Sequence, residues 1–248
     1  DTIEPVLELR AAVGTPNRTT EWIRAGAPGW QKVPLGMEKP DLRREIRGRA
    51  MRIRRTGARE GARVVDLGRT SMATRSRDLD AFAYGDPRRV QVVEGSPGLA
   101  FALVGMLEER RKAGLDIYGV LTLRNGMPVG YMDLEVAGSH VEIAFNTLPT
   151  FRGGEAAHLF ARTLAMLRSV FRARTFGIAP YQIGLDNREA IDSGAWWFYY
   201  KLGLRPRAAP ARRLARREWK RWSADRAYRS SRATLEALAR WPLYYRYP

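Results

Sequence analysis

The chain has 248 residues, 45% of them hydrophobic, which is enough to bury a sizeable core and argues against global disorder. It contains no cysteine, which excludes disulfides, thiolate nucleophiles and cysteine-ligated zinc and fits a cytoplasmic location. The sequence has no run of 18 apolar residues, so no membrane span is expected. The net charge is +17, and residues 205–248 carry 13 lysines and arginines against 3 acidic residues, a net +10.

This basic tail has two interpretations. A cluster of cations predicts binding to nucleic acid or another anionic partner. Arginine, however, outnumbers lysine by 38 to 5, as codon usage in a GC-rich genome would produce without any function. Both interpretations stay open at the level of composition.

Residues 1–60 are rich in glycine and proline and are predicted to form a basic arm or linker. Within them, the arginine-rich stretch Asp41–Arg55 is compatible with a helix. Apolar spacing over Val64–Arg75 predicts a short helix. Hairpin signals at Gly95–Gly98 and Asn125–Pro128 then separate strand-like segments. The first five predicted strands are Val90–Glu94, Leu99–Met106, Ile117–Arg124, Val129–Val136 and His140–Leu148.

The next elements alternate between helix and strand. Glu155–Arg172 is an amphipathic helix, since Phe160, Leu164, Leu167 and Phe171 share one face. Thr175–Tyr181 is a strand, expected to lie beside His140–Leu148 and to run parallel to it, since a helix joins the two. A helix within Arg188–Leu202 ends at Gly203. Basic helical sequence follows at Arg212–Trp222, and Ser230 or Ser231 caps a last helix over Ala233–Arg240.

The loop between the fifth strand and the amphipathic helix, residues 149–157, has the chemistry of a phosphate cradle. Arg152, Gly153, Gly154, Ala156 and Ala157 combine a cation with small residues that let backbone N–H groups approach an anion at a helix N-terminus. An ordinary tight turn before a helix is the alternative.

Two motifs resemble the GNAT acetyltransferase superfamily. Pro149, Arg152, Gly153 and Ala157 match its strand–proline–Arg-Gly-x-Gly-x-Gly/Ala–helix arrangement, with Glu155 in place of the second glycine. Downstream, Tyr199–Pro206 matches its Tyr-x-Lys-Leu-Gly-Phe-like sequence, and Asn187–Ala190 matches the Asn-x-x-Ala that precedes it. The Asn-to-Tyr spacing is five residues longer than usual. Thr74–Pro87 also resembles a bacterial GNAT-like group.

The resemblance covers residues 61–207 and implies an α+β (mixed α/β) fold with a central, mostly antiparallel sheet flanked by helices. It leaves residues 208–248 as a basic helical extension. It implies that acetyl-CoA or another acyl-CoA is the co-substrate and an amine of unknown identity the acceptor. It further implies that the main-chain groups of residues 146–148, between Asn146 and Leu148, polarise the thioester, and that Asn187 belongs to the cofactor site.

For catalysis, the resemblance implies Glu142 as general base and Tyr199 as the acid that protonates the CoA sulfur. A solvent-facing strand carboxylate and an aromatic core residue are the respective alternatives. His140 and His158, the two histidines, lack a third ligand at a recognisable spacing, so no metal site is predicted. An inactive GNAT-like module that binds RNA or an acidic partner through its arginine-rich ends is the alternative function.

Overall fold

The structure is a computed structural model that describes residues 21–30, 39–48, 51–73, 80–148 and 155–248. Within these ranges lie eight α-helices and nine strands. The helices are α1 Leu42–Arg47, α2 Ala58–Ala73, α3 Asp80–Ala83, α4 Ala156–Phe171, α5 Arg188–Asp192, α6 Ala195–Leu202, α7 Ala209–Ala224 and α8 Arg232–Ala239. The strands are β1 Arg52–Arg55, β2 Gly85–Ser96, β3 Leu99–Met106, β4 Asp116–Arg124, β5 Met127–Ala137, β6 His140–Thr147, β7 Thr175–Ile178, β8 Arg205–Pro206 and β9 Leu243–Arg246.

The strands follow the order β1-β2-β3-β4-β5-β6-β7-β9-β8. The described ladders are antiparallel for β1 with β2, β2 with β3, β3 with β4, β7 with β9 and β8 with β9, and parallel for β6 with β7. The expected class, α+β with a central, mostly antiparallel sheet flanked by helices, is confirmed. No helix of the described residues is long and apolar enough to cross a bilayer.

The chain divides into two compact units. The first, residues 1–32, 51–133 and 147–151, contains the antiparallel meander and α2. A buried cluster between α2 and strands β2 to β4 forms its core, and Val64, Leu67 and Phe82 are each at most 1% exposed. The Asn125–Gly126 turn has positive φ at both residues (47° and 82°), as a type I′ hairpin requires.

The second unit, residues 33–50, 134–146 and 152–248, contains strands β6 to β9 and helices α1 and α4 to α8. Its core includes the predicted apolar face of α4, where Phe160, Leu164 and Leu167 are fully buried. The predicted helix over 155–172 and the predicted parallel pairing of strand 175–181 with strand 140–148 are therefore confirmed.

Several sequence predictions differ from the structure in detail. The stretch Asp41–Arg55 is not one helix, because α1 ends at Arg47 and Arg52–Arg55 pairs with β2 as a strand. The strand at 175 ends at Ile178, and Tyr181–Ile183 is a 3-10 turn. The helix predicted within 188–202 is two helices, since Ser193 and Gly194 (φ 68°) interrupt it.

The C-terminal residues form a strand that was not predicted. β9 pairs antiparallel with β7, and Leu243 within it is fully buried. The predicted domain limits, 1–60, 61–207 and 208–248, stay a prediction. Residues 60 and 61 nevertheless both lie inside α2, and β9 belongs to the segment predicted as an extension.

Candidate active site

The parallel ladder between β6 and β7 is short. It pairs His140 with Thr175, Val141 with Phe176 and Glu142 with Gly177, and there it ends. β6 continues as a strand for five more residues, to Thr147, without a β7 partner. Glu142, the predicted base, is thus the last residue of β6 in this ladder.

The Glu142 carboxylate pairs with His140. The two residues are two apart on one strand and so share a face of the sheet. Their Oε2 and Nε2 atoms are 3.3 Å apart, and the side chains are 27% and 37% exposed. Burial raises the pKa of the Glu142 carboxyl above its ordinary value; His140 opposes this shift and Glu135 adds to it. A carboxylate with a raised pKa is a stronger proton acceptor than an ordinary one.

Gly177 makes room for this pair. A Cβ at residue 177 would collide with Oε2 of Glu142 and would crowd Cε1 of His140 at 3.1 Å. The absence of a side chain on β7 is therefore what allows the Glu142 carboxylate to lie over the neighbouring strand.

Two residues that the sequence did not single out complete this face. Tyr244 of β9 stands opposite Gly177, and its ring centroid is 6.1 Å from that of His140. The guanidinium of Arg207 stacks on the Tyr244 ring at 4.0 Å. Alternation within the His140-Val141-Glu142 segment could have revealed the His–Glu pair. No local signal could have revealed Tyr244, because β9 lies about 100 residues further along the chain than His140 and Glu142.

Tyr199, the predicted acid, is deeply buried on α6. It is 3% exposed, and its ring meets the edge of Phe160 at 5.2 Å and that of Phe198 at 5.0 Å. Burial raises its pKa far above the ordinary value, so the hydroxyl is protonated at neutral pH, as any tyrosine is, and is a weaker acid than that of an exposed tyrosine. A protonated phenol is what a general acid requires, and the same surroundings also suit a packing residue.

Glu142 and Tyr199 do not meet on one face of the sheet. Tyr199 approaches β6 through Phe160, which contacts Phe145 at 5.4 Å. Strand alternation places Phe145 on the face of β6 opposite Glu142. The two predicted catalytic residues are thus associated with opposite faces of one strand.

The predicted phosphate loop is described only at its helical end. Arg152, Gly153 and Gly154 lie outside the described residues. Ala156 and Ala157 are the first residues of α4, and Glu155 precedes them without a capping hydrogen bond from its side chain. The first turn of α4 contains no acidic residue, so its N–H groups and helix dipole favour an anion.

Two of the other predicted binding residues, Asn187 and Leu148, have observed structural partners. The Asn187 side chain accepts a hydrogen bond from Ala190 N–H at 3.1 Å and thereby caps α5. Leu148 is fully buried, and its N–H donates to the carbonyl of Val129 at 3.0 Å. Asn146 is half-buried on β6. Their roles towards acyl-CoA stay predictions. Among the described residues, no group of three or more histidines and acids is placed to hold a metal ion.

Comparisons with known proteins give little support to any family. No family model matches the chain, and no curated protein does. Among solved structures, the chain is similar to the PaiA N-acetyltransferase of Thermoplasma acidophilum in complex with coenzyme A, with 12% identity over 64% of this chain and 91% of that one. The TM-score is 0.29, which is too low to support an argument about fold or function.

Proposed function

We propose that this protein is an acyl-CoA-dependent N-acyltransferase that transfers an acyl group, acetyl or another, to an amine. The observation that carries the proposal is the position of Glu142. It is a carboxylate of raised pKa, paired with His140, at the residue where the parallel β6–β7 ladder stops. The GNAT-like motifs around Arg152 and Tyr199 supply the choice of reaction.

In this reaction the amine nitrogen attacks the thioester carbonyl carbon, the C–S bond breaks, and the thiolate takes up a proton. The amine must first lose its own extra proton. Glu142 is suited to accept it, since burial strengthens the carboxylate as a base. His140 holds the carboxylate in position through the 3.3 Å contact.

Tyr199 supplies the proton to the sulfur. Its hydroxyl is protonated at neutral pH, and its ring contacts Phe160, which packs on Phe145 in the half of β6 that has no β7 partner. A thioester entering where the ladder has ended would be reached from one face by Glu142 and from the other by Tyr199. This arrangement explains why the acid and the base need not share a face.

Glu155 carries a negative charge next to the predicted phosphate site. A carboxylate about 6 Å from a phosphate charge would repel it by roughly 2–3 kcal/mol at an effective dielectric near 20. That repulsion corresponds to about a hundredfold loss of affinity. A side chain directed away from the loop would instead leave the helix N-terminus available to the anion.

The test is calorimetric titration of acetyl-CoA into the wild type, Glu155→Gln and Glu109→Gln. The control removes the same charge from an exposed residue of the other unit. Micromolar binding to all three proteins supports a working acyltransferase. Binding to Glu155→Gln alone would mean that the native site is closed electrostatically, and no binding to any of them would overturn the proposal.

If binding is found, turnover tests the assigned roles. Glu142→Gln and Tyr199→Phe should each lower kcat by roughly 10²-fold or more, the usual contribution of a positioned base or acid. Tyr200→Phe is the matched control for the second variant, because it removes the adjacent buried hydroxyl. Unchanged kcat under rate-limiting chemistry would remove the residue from the mechanism.

A further inference from the structure

The second unit contains an aromatic cavity of about 750 Å³ that the proposed acyl-transfer site does not use. Residues of helices α5, α6, α7 and α8 and of the turn between α7 and α8 line it. Its aromatic walls are Trp197, Phe198, Trp219, Trp222 and Tyr228. This volume is in the range of pockets that hold small ligands.

The walls are held in place by packing and hydrogen bonds. The rings of Trp219 and Trp222 are 4.8 Å apart, and Trp197 lies 6.0 Å from Trp219. The Trp197 Nε1–H donates to Ser230 Oγ at 3.2 Å, which ties the wall to the turn before α8. The cavity therefore presents flat apolar surfaces of fixed orientation.

A buried carboxylate holds Tyr228, another residue of the lining, in place. Glu218 is 1% exposed and accepts a 2.8 Å hydrogen bond from the Tyr228 hydroxyl. Arg221 lies 3.4 Å from the other carboxylate oxygen. Glu218 thus anchors Tyr228 to α7, and its carboxylate is paired with Tyr228 and Arg221.

Cations surround the aromatic walls. Lys201 Nζ stands 5.0 Å above the Trp222 ring and the Arg226 guanidinium 3.9 Å from it, and Arg229 also lines the cavity. Of the acids in the described part of the chain, Asp192 is the one that contributes to the lining, and it lies 3.5 Å from Arg188. A cationic ligand is disfavoured, because Lys201, Arg226 and Arg229 would repel it. The lining fits a planar ligand that carries negative charge.

We propose that this cavity binds a nucleobase that carries a phosphate. The base stacks on the tryptophan walls, and Lys201, Arg226 and Arg229 contact the phosphate. Exposed cations continue along α7 beyond the cavity, so a single-stranded nucleic acid is favoured over a free nucleotide as the source. These exposed residues are Arg212, Arg213, Arg216, Arg217 and Lys220. The inference does not depend on the acyl-transfer proposal.

The experiment measures fluorescence anisotropy of a labelled single strand of about 12 thymidines, a length in the range of known single-strand sites. AMP, titrated by calorimetry, is the free-nucleotide arm. The cavity variants are Trp222→Ala, Trp222→Tyr and Arg226→Glu. The controls are Trp241→Ala and Arg240→Glu, which change the same residue types at exposed positions outside the lining. Circular dichroism checks that each variant is folded.

Loss of one stacking wall should weaken binding by about 5- to 150-fold. We expect Trp222→Ala and Arg226→Glu to weaken binding by at least about 10-fold, Trp222→Tyr to keep most of it through its ring, and the controls to change it less than about 3-fold. An affinity for the oligonucleotide well above that for AMP supports single-stranded nucleic acid as the ligand. Equal affinity for AMP supports the cavity with a free nucleotide as its ligand.

Two results would overturn the proposal. One is the absence of binding to either probe. The other is oligonucleotide binding that Arg240→Glu weakens as much as Arg226→Glu and that Trp222→Ala leaves unchanged, because this would show surface charge acting without the cavity. Should Trp222→Ala prove unfolded, the comparison of Arg226→Glu with Arg240→Glu still decides between these outcomes.

Discussion

Gly177 is the residue on which the candidate active site depends most directly. We predict that Gly177→Ala keeps the fold but separates Glu142 from His140. Overpacking commonly costs 1–3 kcal/mol, and here the colliding atom is the end of a flexible side chain, so the loss should be about 1 kcal/mol or less. Urea denaturation measures this loss of stability.

NMR measures the local change around Glu142 through the histidine ring signals, which come only from His140 and His158. The His140 signals should shift in Gly177→Ala and stay in place in Gly57→Ala, where an added Cβ meets no atom within 4 Å. A large loss of stability with unchanged His140 signals would contradict the assigned role of Gly177.

The raised pKa of Glu142 predicts a pH-dependent stability. Burial favours the neutral carboxyl, so the native state holds its proton to higher pH than the unfolded chain does. This contribution is fully present below the ordinary pKa of 4.5 and is lost as the pH rises through the native value. The difference in the free energy of unfolding, Glu142→Gln minus wild type, should therefore become more positive between about pH 4 and pH 7.

Chemical denaturation of both proteins across this pH range measures the difference. A constant offset between the two curves would reflect only the lost contact with His140. In that case Glu142 would have an ordinary carboxyl, and its assignment as a tuned base would lose its physical support.

At the scale of elements, Asn187 has two roles that can be tested separately: it caps α5, and it is predicted to bind the cofactor. Its side chain caps α5, and aspartate caps a helix as well as asparagine does. Asn187→Ala should therefore cost about 1 kcal/mol of stability, whereas Asn187→Asp should cost little. Thermal or urea unfolding measures both variants.

Acetyl-CoA titration of the same two variants tests the cofactor role. If the amide group binds the cofactor, Asn187→Asp should lose affinity while its stability is kept. Equal affinities for Asn187→Asp and the wild type would restrict Asn187 to capping α5.

At the scale of the molecule, the last strand is predicted to be essential to the second unit. β9 pairs with both β7 and β8, and Leu243 is fully buried opposite Ile178. Leu243→Ala should lower the free energy of unfolding by about 2–5 kcal/mol, through lost burial and a cavity. The exposed Arg246→Ala on the same strand should change it by less than about 0.5 kcal/mol.

A chain that ends after Arg240 extends this test. Removal of β9 leaves the backbone of β7 unpaired along the edge where β9 lies and removes a buried side chain. We expect this shortened protein to lose cooperative unfolding, monitored by circular dichroism. Retention of a wild-type transition would support the sequence-based limit at residue 207 instead.

Features that depend on neighbouring residues were predictable from the sequence alone. The Asn125–Gly126 turn, the apolar face of α4, the Gly203 helix end and the Ser231 cap are all observed as expected. Their determinants, positive φ at a turn, helical periodicity and a side chain that satisfies a terminal N–H, act within a few residues. The parallel pairing of β6 with β7 followed from the helix that joins them.

Features made by distant partners were decided only by the tertiary structure. β1 became a strand by pairing with β2, about 40 residues away, although its arginine-rich sequence was compatible with a helix. β9 likewise became a strand by pairing with β7. The Glu142–His140 pair needs the space above Gly177 and lies beside the ring of Tyr244, and the aromatic cavity is lined by four separate helices. Such contacts have no local signature, because the backbone hydrogen bonds and the buried volume that produce them are shared between segments far apart in the chain.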